Sequence, residues 1–339
     1  MKLYVAAVLV LYQMIGIASS GSTATLGISK DGSQFTINKK ETFMTGISYY
    51  GAMSIETPSF VKKDLDDMKR DGFNWIRVWM SWNPTDMNVS VVTPDGALRK
   101  PYISRLKYLI RECNRRGMIV DVTFTRGKDP FPSDQTQHLK CVKTLAKELK
   151  PYRNLYIDVG NERDIGDARH VSYEDMGGLI TAIKEIDPKR ICTASGVPSS
   201  PEDLAKYINI GKCDFIAPHL GRERNSPSET KGKVQEFISW MGKDKIKRVP
   251  ILLQEPFRRD YGSYQPVEND YYTDAIGGKQ GGAAGWCLHN GSNRANTRFR
   301  SFRMTDKDRR LYDQLDEVEL AVAHNIAKKL GHPSSTKEE

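Results

Sequence analysis

The sequence predicts an α/β protein folded as a closed (β/α)8 TIM barrel preceded by a short N-terminal β-hairpin. Short β-rich apolar runs alternate with longer stretches of helical pattern, the sign of a parallel sheet with crossover helices. Eight such pairs follow one another, and 339 residues suit a closed α/β barrel, a fold that often exceeds ~250 residues undivided. An open, doubly wound sheet with fewer strands is the main structural alternative. No G-x-G-x-x-G motif follows the first run, so a dinucleotide-binding version of that alternative lacks its phosphate cradle.

Met1-Lys2 leads into the apolar run Val5 to Tyr12, which continues to Ile17 and ends in Ala18-Ser19-Ser20-Gly21. One positive charge, a short apolar stretch and small terminal residues fit a secretory signal peptide over residues 1–20. The run is too short for a membrane anchor. The expectation is a secreted or periplasmic protein; a buried N-terminal strand or helix is the competing reading.

Next, Leu26 to Ser29, the turn Asp31-Gly32-Ser33 and Phe35 to Ile37 read as the hairpin. The barrel strands are expected at Phe43–Ser48, Trp75–Met80, Met118–Phe124, Leu155–Val159, Ile191–Ser195, Phe215–Pro218, Pro250–Gln254 and Ala283–Leu288. Helices are expected at Pro58–Arg70, Pro101–Arg116, Asp134–Leu149, Tyr173–Ile186, Pro201–Ile210, Glu229–Met241, Glu268–Gly277 and Asp306–Leu330. Pro58, Pro101 and Pro201 suit first helical turns, and Gly72 and Gly117 suit helix ends. Residues 21–330 thus read as one barrel domain and residues 331–339 as a loose tail.

With 39% apolar and 27% charged residues, the chain can bury a sizeable core, and disorder is not indicated. Removing residues 1–20 lowers the formal charge only from +9 to +8, because Lys2 is their sole charged residue. Such a balance favours anionic partners without choosing among them. No helix carries a continuous basic stripe and no recognition motif appears, so no nucleic acid is expected as a partner. Cys113, Cys141, Cys192, Cys213 and Cys287 lie far apart without metal-ligand spacing. They are expected as buried free thiols, with no metal, no cofactor and a monomeric chain.

In a barrel, reactive groups belong at the C-terminal ends of the strands. Two strand ends carry a glutamate: Glu162 after Leu155-Tyr156-Ile157-Asp158-Val159-Gly160-Asn161, and Glu255 after Ile251-Leu252-Leu253-Gln254. A single rim glutamate is more often solvated or salt-bridged. The pair matters because strands four and seven lie on opposing parts of the barrel, where two carboxyl groups can meet over one glycosidic bond.

These short motifs resemble the clan-A glycoside hydrolases, most closely the family 5 cellulases and mannanases, over about Phe43 to Leu288. Gly72-Phe73-Asn74-Trp75-Ile76-Arg77-Val78 with Ser81-Trp82 is similar to the family's second-strand motif, in which the arginine steadies the nucleophile. The resemblance makes Asn161 a sugar-hydroxyl ligand, Glu162 the acid/base, Glu255 the nucleophile, His219 the sixth-strand histidine and Trp286 the eighth-strand aromatic platform. It implies retaining hydrolysis of a β-linked polysaccharide, with β-glucan or β-mannan first to try. Two positions depart from the family: Val122-Thr123-Phe124-Thr125 lacks the third-strand histidine, and His219-Leu220-Gly221 replaces His-x-Tyr. Tyr49, Tyr50, Tyr261 and Tyr264 are the candidates for the missing phenol.

Among supporting residues, Trp286, Trp82 and Trp79 can stack on sugar faces or pack in the core, and Trp240 reads as core. Asp121 and Asp158 lie inside strands, as barrel-lining hydrogen-bond partners. Arg77 beside Glu255 is expected to lower its pKa, whereas burial and the neighbouring carboxylate are expected to raise that of Glu162. Basic residues gather in the catalytic-face segments: Arg126, Lys128, Arg163, Arg169, Arg222, Arg224, Arg258, Arg259, Arg294, Arg298, Arg300 and Arg303. They point either to an acidic glycan or to solvated loops paired with Glu223, Asp164 and Asp260, the second being the plainer expectation. A transglycosylase and a non-catalytic glycan-binding protein are the alternatives to a hydrolase.

Overall fold

The computed structural model describes residues 23–83, 87–243, 246–292, 299–305 and 309–331. The expected leader, residues 332–339 of the tail, Arg294 and Arg298 lie outside the described residues.

The hairpin forms as expected: β1 (Leu26–Ile28) pairs antiparallel with β2 (Phe35–Ile37), and a third short strand, β3 (Lys40–Glu41), extends it. The barrel strands are β4 (Met44–Ser48), β5 (Trp75–Trp79), β6 (Ile119–Thr123), β7 (Leu155–Asp158), β8 (Cys192–Thr193), β9 (Leu252–Leu253) and β10 (Gly285–Leu288). They form one parallel sheet in the order β8-β7-β6-β5-β4-β10-β9.

Residues 215–218, expected as the sixth strand, fill the gap between β8 and β9 without becoming a regular strand. They make only the parallel bridges Ser195–Ala217 and Ile216–Ile251, with Ile216 N donating to Pro250 O at 3.1 Å and Leu252 N to Ile216 O at 2.9 Å. Pro218 and Pro250 lack N–H groups, which shortens the ladder on both sides. The ring of eight positions nevertheless closes.

Helices α1 (Pro58–Arg70), α2 (Tyr102–Arg115), α3 (Gln135–Leu149), α4 (Tyr173–Ile186), α5 (Pro201–Asn209), α6 (Ser226–Lys243) and α7 (Glu268–Gly281) match their expected places within a few residues. Side chains cap several: Asp134 accepts from Gln137 N at 2.9 Å, Ser172 from Asp175 N at 3.0 Å and Ser200 from Asp203 N at 3.1 Å. The expected last helix is divided into α8 (Leu311–Gln314) and α9 (Glu317–Lys329). Asp316 causes the break, because it starts a capping box with Glu319 and so begins a new helix.

Two cores follow from strand alternation. Ile76, Val78, Val120, Val122, Ile157 and Leu253 face the helices, whereas Met44, Trp75, Ile119, Tyr156, Leu252 and Cys287 face the barrel interior. The hairpin closes the lower end, with Phe35 and Phe215 rings 5.1 Å apart edge to face. Above this apolar floor comes a polar layer. Tyr156 Oη donates to Asp121 at 2.8 Å, Gln254 Nε2 to Asp121 at 2.6 Å, and Asp158 accepts from Gly160 N and Ser195 N, each at 3.1 Å. All five cysteines are buried and free, as expected.

Gly46 is where the floor is tightest, since a Cβ there would lie 2.1 Å from the Trp75 ring. Gly46→Ala is therefore expected to destabilise the fold by about 1–3 kcal/mol through overpacking. Equilibrium urea unfolding checks this, and an unchanged midpoint would contradict the packing described.

Candidate active site

Strand alternation raises Arg77 from the centre of β5 into the barrel, where its side chain is fully buried. A buried guanidinium must be surrounded by acceptors. Nε lies 3.2 Å from both Thr123 Oγ1 and Asp121 Oδ2, and Nη2 donates to Asn161 Oδ1 at 2.8 Å. Asp158 Oδ2 is 3.5 Å from Nη2, and Nη1 donates to Glu255 Oε1. Asp121 and Asp158 thus play the barrel-lining role expected of them.

Glu255, immediately after the buried end of β9, is 4% exposed. Glu162 follows β7 with φ +49°, the left-handed region uncommon for residues other than glycine, and its backbone N donates to Ser195 Oγ at 3.3 Å. The two meet at the barrel mouth. One oxygen from each carboxylate and one ring nitrogen of His219 all lie within 4.8 Å of one another. His219 Nδ1 is 3.6 Å from Glu162 Oε1 and 3.7 Å from Glu255 Oε2, and neither ring nitrogen has a hydrogen-bond partner. Two further arginines reach the pair. Arg222 Nη2 is 3.0 Å from Glu255 Oε2 and 3.8 Å from Glu162 Oε1, and Arg169 Nη1 donates to Glu162 Oε2.

The electrostatics follow from these neighbours. Burial alone would lift the Glu255 carboxyl, but His219, Arg77 and Arg222 hold it well below the usual carboxylate range. Burial and the Glu255 charge also push Glu162 upward, as expected. His219 and Arg222 outweigh them and bring it below its ordinary value. The expected rise at Glu162 is thus corrected: His219 and then Arg222 face this carboxylate across the barrel mouth, a convergence that spacing along the chain does not reveal.

The structure also identifies a phenol at the site. Tyr49 donates to Asp64 at 2.8 Å, on the helix side of β4, whereas Tyr50 Oη is 2.6 Å from His289 Nδ1 and 3.5 Å from Arg77 Nη1. His289 Nε2 faces Arg258 Nη1 at 2.5 Å and Glu255 Oε2 at 3.8 Å. A guanidinium only donates, so Nε2 accepts and the imidazole proton sits on Nδ1, which donates to Tyr50 Oη. Burial, with Arg258 next, keeps His289 neutral by depressing its pKa well below the usual value. Among the four candidate tyrosines, Tyr50 is the one tied to Arg77 and His289. Tyr261 stacks beneath Arg222 and Arg258, and Tyr264 beneath Arg224.

Trp82 takes the expected position at the cleft. With Trp79, Phe131, Phe299 and Phe302 it lines a cavity of about 420 Å³ beside Arg169, and its Nε1 donates to Phe302 O at 3.0 Å. Trp286 does not. It is fully buried, its Nε1 donates to Asp274 Oδ2 on α7 at 2.5 Å, and its ring packs edge-on against Tyr271. The reason is parity. Cys287 faces the barrel interior, so Trp286 must face the helices, and the next inward residue beyond the strand is His289.

The basic residues divide between the two readings. Arg126 pairs with Asp175, Arg259 with Asp316, and Arg300 with Asp260, Asp316 and Glu319. Arg163 is buried, donating to Val171 O and stacking on Tyr173, and Arg303 bonds Thr305. Arg222, Arg224 and Arg258 stand instead around the cleft next to Glu255.

Comparison with known proteins decides the family. The model of the cellulases of glycosyl hydrolase family 5 matches residues 29–246. The chain belongs to glycosyl hydrolase family 5. It is a glycoside hydrolase, and both carboxylates and Arg77 occupy a family 5 barrel. No curated protein matches the chain. Among solved structures, a family 5 mannosidase mutant from Rhizomucor miehei in complex with mannosyl-fructose shares 14% identity at TM-score 0.65, over 92% of this chain and 98% of that one. The endo-1,4-beta-mannanase of the same organism shares 12% at TM-score 0.60, over 82% of this chain and 97% of that one. A family 5 glycoside hydrolase from Bacteroides vulgatus shares 17% at TM-score 0.62, covering 78% of this chain, which spans only 62% of that protein. At such identities the neighbours speak for the fold alone. Among the described residues, no helix is long and apolar enough to cross a membrane.

Parity makes Trp286 a packing residue. Trp286→Phe is expected to lower the thermal midpoint, at a cost of about 1–3 kcal/mol for the lost Asp274 contact, and to leave KM unchanged. Calorimetry beside steady-state kinetics checks it; a raised KM with an unchanged midpoint would return Trp286 to the cleft.

Proposed function

We propose that this family 5 enzyme hydrolyses a β-linked polysaccharide with retention, Glu255 acting as nucleophile and Glu162 as acid/base. The carrying observation is the approach of the two carboxylates, with oxygens inside 4.8 Å of each other around His219. Retention calls for carboxyl groups about 5–5.5 Å apart, whereas inversion needs about 6.5–9.5 Å for an intervening water.

Each residue then has a task. Arg77 and Arg222 keep Glu255 ionised, as a nucleophile must be. Glu255 attacks the anomeric carbon while the glycosidic C–O bond breaks and Glu162 gives its proton to the departing oxygen. Glu162 next takes a proton from water, whose oxygen attacks the same carbon and releases Glu255. Asn161 has its oxygen committed to Arg77, so its NH2 end is the one available to a sugar hydroxyl. Trp82 and Trp79 offer apolar ring faces to adjoining sugars.

In the free enzyme the cations around Glu162 favour its carboxylate, the form needed in the second step. A bound glycan excludes water from Glu162, which raises its pKa towards the protonated form needed in the first. Export, expected from residues 1–20, suits a polymeric substrate outside the cell, and N-terminal sequencing of protein recovered from the medium tests it.

β-Glucan and β-mannan are the first substrates for a reducing-end assay. Glu255→Gln is expected to abolish turnover. Glu162→Gln is expected to lower it roughly 10²–10⁴-fold on polysaccharide, and less on an aryl glycoside whose leaving group needs no protonation. Product anomers followed by NMR should show retention; inverted products would sink the mechanism.

Arg169 supplies the pH test. Its cation stabilises the Glu162 carboxylate, so Arg169→Gln raises the Glu162 pKa. The first step requires protonated Glu162, so the alkaline limb of kcat/KM is expected to move to higher pH. A shift to lower pH would remove Glu162 from the acid role.

A further inference from the structure

Beside Glu255 the loops after the sixth and seventh barrel positions enclose a cleft of about 540 Å³ with an unusual charge balance. Three arginines line it, Arg222, Arg224 and Arg258, against one carboxylate, Glu223, which accepts from Ser226 Oγ at 3.2 Å instead of an arginine. Arg258 is the telling member. It is 9% exposed, its Nε has no partner, and among the described residues it pairs with no carboxylate, only with neutral His289. Burying a cation with no carboxylate bonded to it is costly, and Glu255 offsets this only from beyond His289.

Aromatic rings hold these guanidinium groups in place. Arg222 and Arg258 share the Tyr261 ring, at 4.7 and 4.5 Å from its centroid, and Arg258 also lies 4.9 Å from the Phe302 centroid. Arg224 lies 5.4 Å from the Tyr264 centroid. Holding two like charges against one ring brings them into mutual repulsion, which a bound anion would relieve. Consistently, burial and then Arg222 lower the Arg258 pKa against the opposing pull of the Glu255 charge.

We propose that this arginine cleft is a subsite for an anionic substituent, a carboxylate or sulfate carried by a pyranose adjacent to the scissile bond, so that the enzyme prefers acidic β-glycans. The assignment rests on the glycan-hydrolase reading for its setting, but its binding step does not require turnover. Arg222 Nη2 lies 3.0 Å from Glu255 Oε2, and Arg258 reaches Glu255 through His289. The cleft therefore adjoins the carboxylate proposed as the nucleophile. The planar guanidinium fork suits the paired oxygens of such a group, and the neighbouring tyrosines offer its ring an apolar face.

The test is calorimetric binding of D-glucuronate, D-glucose 6-sulfate and D-glucose to the wild-type enzyme at low salt. None of the three contains a glycosidic bond, so binding is read whether or not the enzyme turns over a polysaccharide. At least one anionic sugar is expected to bind tenfold or more tightly than glucose, with the advantage shrinking as salt rises. Whichever anion wins distinguishes a uronic acid from a sulfated sugar. The preference is expected to fall several-fold in the surface variant Arg224→Gln and further in Arg258→Gln, with Arg258→Lys retaining part of it. Should Arg258→Gln fail to fold, Arg224→Gln and Arg258→Lys carry the comparison. Equal affinities for all three sugars in the wild type would overturn the subsite, as would a preference that survives unchanged in both Arg224→Gln and Arg258→Lys. Loss of polysaccharide turnover with the sugar preference intact would instead count against the proposed hydrolysis alone.

Discussion

The site is organised around one guanidinium that has no access to water. Arg77 lies at the centre of the barrel and contacts Thr123, Asp121, Asp158, Asn161 and Glu255, which come from β6, β7 and the segments after β7 and β9. A buried cation without such partners would be prohibitively unstable. Their convergence therefore fixes the relative positions of the strand ends. It places Glu255 opposite Glu162 and commits the oxygen end of Asn161, so stability and site geometry depend on the same contacts.

Two levels of charge sit above that centre. The lower one is rich in acids, with the single Arg77 cation facing Asp121, Asp158 and Glu255, and burial pushes the Asp121 carboxyl up to about 7. The upper one is rich in cations, because Arg169 approaches the partly exposed Glu162, Arg222 approaches both glutamates, and Arg258 has no carboxylate bonded to it among the described residues. His219 first, then Arg77 and Arg222 at Glu255 and Arg222 at Glu162, hold both glutamates below their ordinary pKa values, Glu255 further than Glu162. The ordering suits a nucleophile and an acid/base. The low setting of Glu162 makes substrate-driven loss of water part of the proposed first step.

Strand parity explains what could be read of the site residues and what was misread. The β-then-α alternation and the proline and capping signals located the helices closely, and α1 and α4 coincide with expectation. Glu162, Glu255, Arg77, Asn161, His219 and Trp82 all reach one mouth. Trp286 failed because its aromatic character was weighed without its neighbours' alternation; counting inward from Cys287 would have put it outside and brought His289 to notice. Residues 215–218 lost regular pairing to Pro218 and Pro250, and Asp316 divided the last helix, both local signals present in the chain. The three-residue separation of Asp316 and the buried Glu319 is likewise a capping pattern.

By itself the sequence determined the repeating β/α order, the two glutamates at strand ends and the buried character of the free cysteines, because periodicity and local composition encode these directly. Only the tertiary structure decided which arginines meet which acids. Arg222 and Arg258 lie on different loops, and the separation of Arg222 from Glu162 and of Arg258 from His289 is set by barrel closure, whereas Arg169 meets Glu162 within the loop after β7 through that loop's own fold. Electrostatic energy depends on distance in space and on burial, and neither is written in the spacing of residues along the chain.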